Sequence, residues 1–174
     1  MKNIFRLLAI AILFSSCQEQ QKIGFIDNGD VINEYKMKID VEETYKVKKE
    51  VFEKRMDSIN RDFQVEVKAF QLAQAKMSQN KAQEKYNELG QKNQQLTQQF
   101  QIEQQVMQQA FAKEMDSIIS KVDDFVSEYG KANGYTFILG KNEAGSVMYG
   151  QEANDLTKTI TEALNAEYKP EEKE

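Results

Sequence analysis

The sequence predicts a mainly α chain with a small β body, from which a long antiparallel helical hairpin projects as an arm. Three observations carry this expectation. Between residues 41 and 129 the chain has no proline and a single glycine, Gly90, while apolar residues recur at three- and four-residue steps. Short β-prone runs stand on either side of that stretch, at 22–27 and 135–149. The chain of 174 residues is 29% charged and 40% hydrophobic, with a mean hydropathy of -0.67, proportions that suit exposed helices better than a thick core.

Residues 1–16 read as a lipoprotein signal peptide. Lys2 and Arg6 precede the apolar run Leu7–Phe14, and Ser15-Ser16 leads into Cys17, the only cysteine. The run is too short to span a bilayer, which takes ~20 apolar residues, and it gives way to the polar linker 17–21. Cys17, after Leu13-Phe14-Ser15-Ser16, resembles the lipidated residue of a bacterial lipobox. Removal of residues 1–16 leaves 21 basic against 28 acidic residues, a net charge of -7.

The body is expected from residues 22–35 and 133–168. Lys22-Ile23-Gly24-Phe25-Ile26-Asp27 alternates like a strand, and Asp27-Asn28-Gly29-Asp30 has turn chemistry. Tyr135–Leu139 reads as a second strand and Ser146–Tyr149 as a third, the two forming a hairpin across Gly140 and Gly145. Asp155 is placed to cap a closing amphipathic helix bearing Leu156, Ile160, Ala163 and Leu164, before an acidic tail at 169–174. Such a body is small, and a sheet of two or three strands is marginal without a packing partner. An oligomer is therefore expected, with Phe25, Ile26, Phe137, Ile138, Leu139, Val147, Tyr149, Leu156 and Ile160 forming its body.

Residues 36–132 form the arm. The first stripe runs through Val41, Tyr45, Phe52, Met56, Ile59, Phe63, Val67, Phe70 and Met77. The second runs through Tyr86, Leu89, Leu96, Phe100, Met107, Phe111, Met115, Ile118, Val122, Phe125 and Tyr129. The beat falters around Ser78–Lys81 and the two halves are nearly equal, so the chain is expected to fold back with its tip near 78–84 rather than run on as one rod. Val51, Val65 and Leu72 lie off the first stripe on a shared heptad track, and Ile102 and Val106 lie off the second. They form either the margin of a broad seam or a second, weakly apolar face turned toward something else.

Chemistry is sparse. The chain has no histidine, which excludes Ser-His-Asp, Cys-His and His-metal sites and leaves no expected cofactor or metal. Gly134–Lys141 lacks the spacing and the Ser or Thr of a phosphate loop, and Asp27–Asp30 lacks the ligand spacing of a calcium loop. Adjacent acids such as Asp123-Asp124 are read as solvated charges. A pI near 5.0 gives no footprint for nucleic acid, so no nucleic-acid partner is expected. An enzyme is not expected.

The order of these elements, from Lys22–Asp27 through the hairpin to Tyr135–Leu139, Val147-Met148-Tyr149 and Asp155-Leu156-Thr157…Ile160…Leu164, resembles the Skp/OmpH family of periplasmic chaperones over about residues 22–168. The resemblance implies a homotrimer whose strands join in a small barrel and whose hairpins enclose a cavity. That cavity would hold unfolded outer-membrane β-barrel proteins without ATP, here on a lipoprotein anchored through Cys17 at the periplasmic side of a membrane, the outer one being favoured. Val51, Val65, Leu72, Ile102 and Val106 are then the expected client-facing residues. Residues 40–131 carry 14 basic and 16 acidic side chains, a net of -2, so the arm lacks the basic character that binding lipopolysaccharide would use. A coiled-coil spacer between envelope layers is the competing reading, and it favours one unbroken rod.

Overall fold

The computed structural model describes residues 21–142 and 145–170. The signal peptide, Cys17 and most of the acidic tail lie outside the described residues.

Strand β1 (Ile23–Asp27) opens the body. Its last residue ends the strand and starts a helix at once. Asp27 Oδ1 accepts from the backbone N–H groups of Gly29 at 3.0 Å and Asp30 at 3.2 Å, satisfying two donors that the first turn of a helix leaves without partners. Helix α1 (Asn28–Glu34) therefore stands where the sequence suggests a turn. The same Asp-Asn-Gly-Asp chemistry serves both, and buried Val31 and Tyr35 hold the helix in place.

Helix α2 (Lys36–Gln74) runs out to the tip and α3 (Gln79–Ala132) returns, which makes the arm an antiparallel hairpin. The reversal occupies Ala75–Ser78, at the near edge of the expected tip. By a rise of 1.5 Å per residue, α2 is ~58 Å and α3 ~80 Å long. Two aromatic pairs mark the seam: Tyr45 meets Phe111 edge-on with ring centroids 5.1 Å apart, and Phe52 meets Phe100 at 6.2 Å. Leu89 and Phe70 are buried near the tip. Two stripe residues are exposed, Met77 at 38% within the reversal and Tyr86 at 66% two turns beyond it.

Helix α3 ends on Gly134, which takes φ +68. Tyr135 N–H then reaches the Gly130 carbonyl at 2.9 Å and Gly134 N–H the Lys131 carbonyl at 3.4 Å, a glycine-dependent helix stop. This stop claims Tyr135 for the end of the helix, so strand β2 (Phe137–Lys141) begins two residues later than expected.

Strand β2 does not form a hairpin with Ser146–Tyr149. It pairs parallel with β1, Ile23 opposite Phe137 through Asp27 opposite Lys141, and Ser146–Tyr149 has no strand structure. The physical reason is long-range. The hairpin of α2 and α3 brings both ends of the arm to one place, where β1 offers a full ladder. After β2, Gly145 (φ +84) and the bond from its N–H to the Asn142 carbonyl turn the chain instead of extending it. The other edge of β1 is met by residues 155–157: Leu156 N–H donates to the Phe25 carbonyl at 2.8 Å and Asp27 N–H to Thr157 Oγ1 at 2.9 Å.

Helix α4 (Thr157–Glu167) follows. Leu156 takes the cap position expected of Asp155, while Asp155 Oδ1 still accepts from Thr157 N–H at 2.9 Å. Ile160, Leu164 and Leu156 pack with Ile26, Val31 and Tyr35 against Ile118 and Val122 near the body end of α3, and this is the hydrophobic core. Tyr168 closes it, edge-on to Tyr35 and donating to Asp40 Oδ2 at 2.9 Å.

Candidate functional site

The seam residues fix the helical phase of the arm. Phe52, Met56, Ile59, Phe63 and Phe70 on α2, and Leu89, Leu96, Phe100 and Met107 on α3, fall on the a and d positions of heptads, with Glu66, Asn93 and Glu103 on the a and d positions between them. In that frame Val51, Val65 and Leu72 are c positions, Ile102 is c and Val106 is g. In an antiparallel pair the g edges of the two helices adjoin, so all five residues stand on one flank of the hairpin.

The contacts agree with this placement. Lys85 and Lys92, both g residues of α3, reach across to Glu66 on α2 at 3.1 and 2.5 Å. Arg55, a g residue of α2, pairs with Glu103 on α3. Ala69, Phe70 and Ala73 share a shallow depression of about 340 Å³ near the tip with Lys81 and Lys85. The two hydrogen bonds from Lys92 and Lys85 hold the Glu66 carboxyl below its ordinary range, and Glu88 and Glu66 together hold Lys85 above its own. These ion pairs bridge the helices along the flank and fix its geometry without covering the aliphatic side chains beside them.

Those side chains are open: Val51 is 61% exposed, Val65 66%, Leu72 82%, Ile102 61% and Val106 58%. The pairing of Arg55 with Glu103 and of Phe52 with Phe100 sets Val51, Ile102 and Val106 at one level of the arm, with Val65 and Leu72 nearer the tip. Val47, one turn before Val51 and 54% exposed, adds a further aliphatic side chain beside the upper cluster; it falls on the outermost f position, outside both stripes and the off-stripe track. The opposite flank, e and b positions, reads Glu50, Glu53, Asp57, Asn60, Gln64, half-buried Val67 and Gln71 on α2 and Gln94, Thr97, Gln101, Gln104 and Gln108 on α3. The hairpin is therefore uneven: the exposed aliphatic side chains and the cross-helix ion pairs share one flank, interspersed with Gln95, Gln99 and Gln109, while the other flank is mainly polar.

The expected body set divides. Ile26, Leu156 and Ile160 are buried inside the single chain, while Phe25, Ile138 and Val147 are half-buried. Phe25 lies against Gly150, where a Cβ would approach its ring to 2.3 Å, and Ile138 lies over Gly130. Phe137 (53%), Leu139 (45%) and Tyr149 (84%) face outward. Among the described residues β2 pairs with β1 alone, leaving its outer edge open beside Phe137 and Leu139. Val31 and Tyr35 are core residues that the sequence reading missed, and their spacing of four after an Asp cap is the signal that marks them.

Among the described residues no group of three or more acidic, cysteine or histidine side chains is placed to hold a metal ion, and no helix is long and apolar enough to cross a membrane. A concavity of about 1040 Å³ lies at the root of the arm between Tyr35, Asp40, Tyr45, Lys121, Phe125 and Tyr168; it is an open groove.

The family described as outer membrane protein (OmpH-like) matches residues 22–164. A protein of Caulobacter crescentus, described as a candidate outer membrane chaperone (OmpH-like), has a crystal structure similar to this one with a TM-score of 0.76 at 14% identity, covering 85% of this chain and 86% of that one. No curated protein matches.

Proposed function

The chain belongs to the OmpH-like family, and from that premise we propose that it is an ATP-independent holdase chaperone of the cell envelope that binds unfolded outer-membrane β-barrel proteins along its arms. One observation carries the reading: five aliphatic residues on one flank of the hairpin remain exposed although the seam that pairs the helices is complete without them. A holdase must bind many apolar segments weakly and release them. Full burial of a valine or leucine is worth ~1.5–3 kcal/mol, and partial burial on an open flank gives less per contact, so retention comes from many contacts and no defined pocket is needed.

The working form is a homotrimer. The open outer edge of β2, flanked by exposed Phe137 and Leu139, supports assembly, since an uncovered strand edge is a template for pairing with another chain. Closing strands from three copies into a barrel would leave three arms around a cavity. The protein is tethered through acylated Cys17 on the periplasmic side of a membrane, for which the outer membrane is favoured. Cys17→Ser should release it into the soluble envelope fraction with its fold intact, and persistent membrane attachment would contradict the anchor. A spacer role is disfavoured by the reversal at Ala75–Ser78, which brings the arm back to its own root.

The test is aggregation. An unfolded outer-membrane β-barrel protein diluted from urea scatters light as it aggregates. The mature chain, without ATP, should suppress that scattering and co-elute with the client in size-exclusion chromatography. Unchanged scattering at a molar excess of the trimer would refute the holdase reading.

A further inference from the structure

The place where the chain enters the body fixes which way a tethered arm points. Lys22 is bound at the far end of the body from the tip: Thr136 N–H donates to its carbonyl at 2.7 Å, its Nζ donates to the Asn133 carbonyl at 2.9 Å, and the same Nζ lies 4.0 Å from the centroid of the Tyr135 ring. Asn133 caps the body end of α3, a helix of 54 residues whose other end, Gln79, is the tip. Along the helix axis this separates Lys22 from the tip by ~80 Å.

Between Cys17 and Lys22 stand four residues, 18–21, so the five steps from Cys17 to Lys22 span at most ~18 Å. A lipid on Cys17 thus brings the root of the arm to the bilayer and leaves the tip far outside this reach. One tether alone would let an arm pivot and lie flat. In a closed cyclic assembly, however, symmetry places every tether at the same end of the axis, and three such tethers hold the axis upright.

We infer that the body face around Lys22, Asn133 and Tyr135 is seated against a lipid surface, with the arms projecting away from that bilayer and the space between them opening toward the aqueous side. This rests on the lipoprotein and trimer readings above. Its consequence is that a client enters from the aqueous side and is not drawn directly from the bilayer that carries the anchor.

The test separates geometry from acylation. The mature chain, residues 17–174, is coupled through the Cys17 thiol to a maleimide lipid in a supported bilayer, and its density profile along the membrane normal is measured by neutron reflectometry. The expected profile is a dense layer against the headgroups followed by a dilute layer, the whole reaching ~80 Å or more from the headgroups. A profile confined to a thin layer of about 40 Å, or with its dense part at the far side, would overturn the inference. Mass spectrometry of Cys17 from cells is read separately: an unacylated Cys17 ends the lipoprotein reading and with it the membrane seat in the cell. The reflectometry profile decides whether the fold, once tethered there, points its arms outward.

Discussion

In the body, Val31, Ile118 and Ile160 are fully buried and six elements or segments converge on them, whereas in the distal arm, beyond Phe111, only Phe70 and Leu89 are buried. Two stability regimes follow within one chain. The body holds together as a small globular unit around side chains that have neighbours on all sides. The arm is a ribbon one seam thick, held by aromatic pairs, ion pairs and helix propensity, and its flanks are free to differ. What this teaches is that the surface of the arm is not constrained by packing, so the gathering of exposed Val51, Val65, Leu72, Ile102 and Val106 on one flank has no explanation in the fold of the single chain.

The largest effect that would break this comparison lies in the body. Ile160→Ala removes a fully enclosed side chain and should cost ~2–5 kcal/mol, lowering the melting temperature read by circular dichroism. A loss no larger than that of a surface substitution would mean the core is elsewhere. Phe70→Ala is next. Its side chain is 8% exposed but enclosed by only two helices, so the cost should fall below the ~3–5 kcal/mol of a phenylalanine buried in a full core. Hydrogen exchange should speed up around residues 63–96 while protection in the body is retained, and an equal loss in both regions would show that arm and body unfold as one.

A smaller effect is electrostatic. Lys92 and Lys85 hold Glu66 below its ordinary value of 4.5. A carboxyl whose folded value is depressed stabilises the fold above its unfolded value, and that contribution disappears as the pH falls through the lower, folded value. Protection of the arm near the tip should therefore weaken in acid below about pH 4.5, and more at low ionic strength than in salt, which screens exposed pairs. Glu66→Gln should abolish this acid-dependent step and leave exchange in the body unchanged. An identical acid profile in the variant would remove Glu66 from the account.

The arm was the more legible region because its signals are local. Heptad spacing from Phe52 to Phe70 and from Leu89 to Met107 identifies the seam, and with it the off-seam residues. The body was less legible because its order depends on residues far apart in sequence. Nothing near Tyr135–Tyr149 announces that β2 pairs parallel with β1, more than a hundred residues away, and local turn chemistry at Gly140 and Gly145 points to a hairpin instead. Asp27–Asp30 was ambiguous for another reason, since a turn and a capped helix start use the same residues. The ion pairs of Arg55, Lys85 and Lys92 were less legible, because in the heptad phase each joins a g residue to a glutamate on a d position of the other helix, Glu103 or Glu66, and the register between the helices has to be known first.

The central claim, that the aliphatic flank holds clients while the seam holds the arm, is tested most directly by converting Val65, Leu72, Ile102 and Val106 together to Gln. All four are more than half exposed, so helix content and assembly mass should stay nearly unchanged. Retention of an unfolded outer-membrane β-barrel protein, measured as the dissociation constant of the complex, should weaken at least about tenfold, a change that requires only ~1.4 kcal/mol across four residues. A folded, correctly assembled variant that keeps its client with undiminished affinity would contradict the claim.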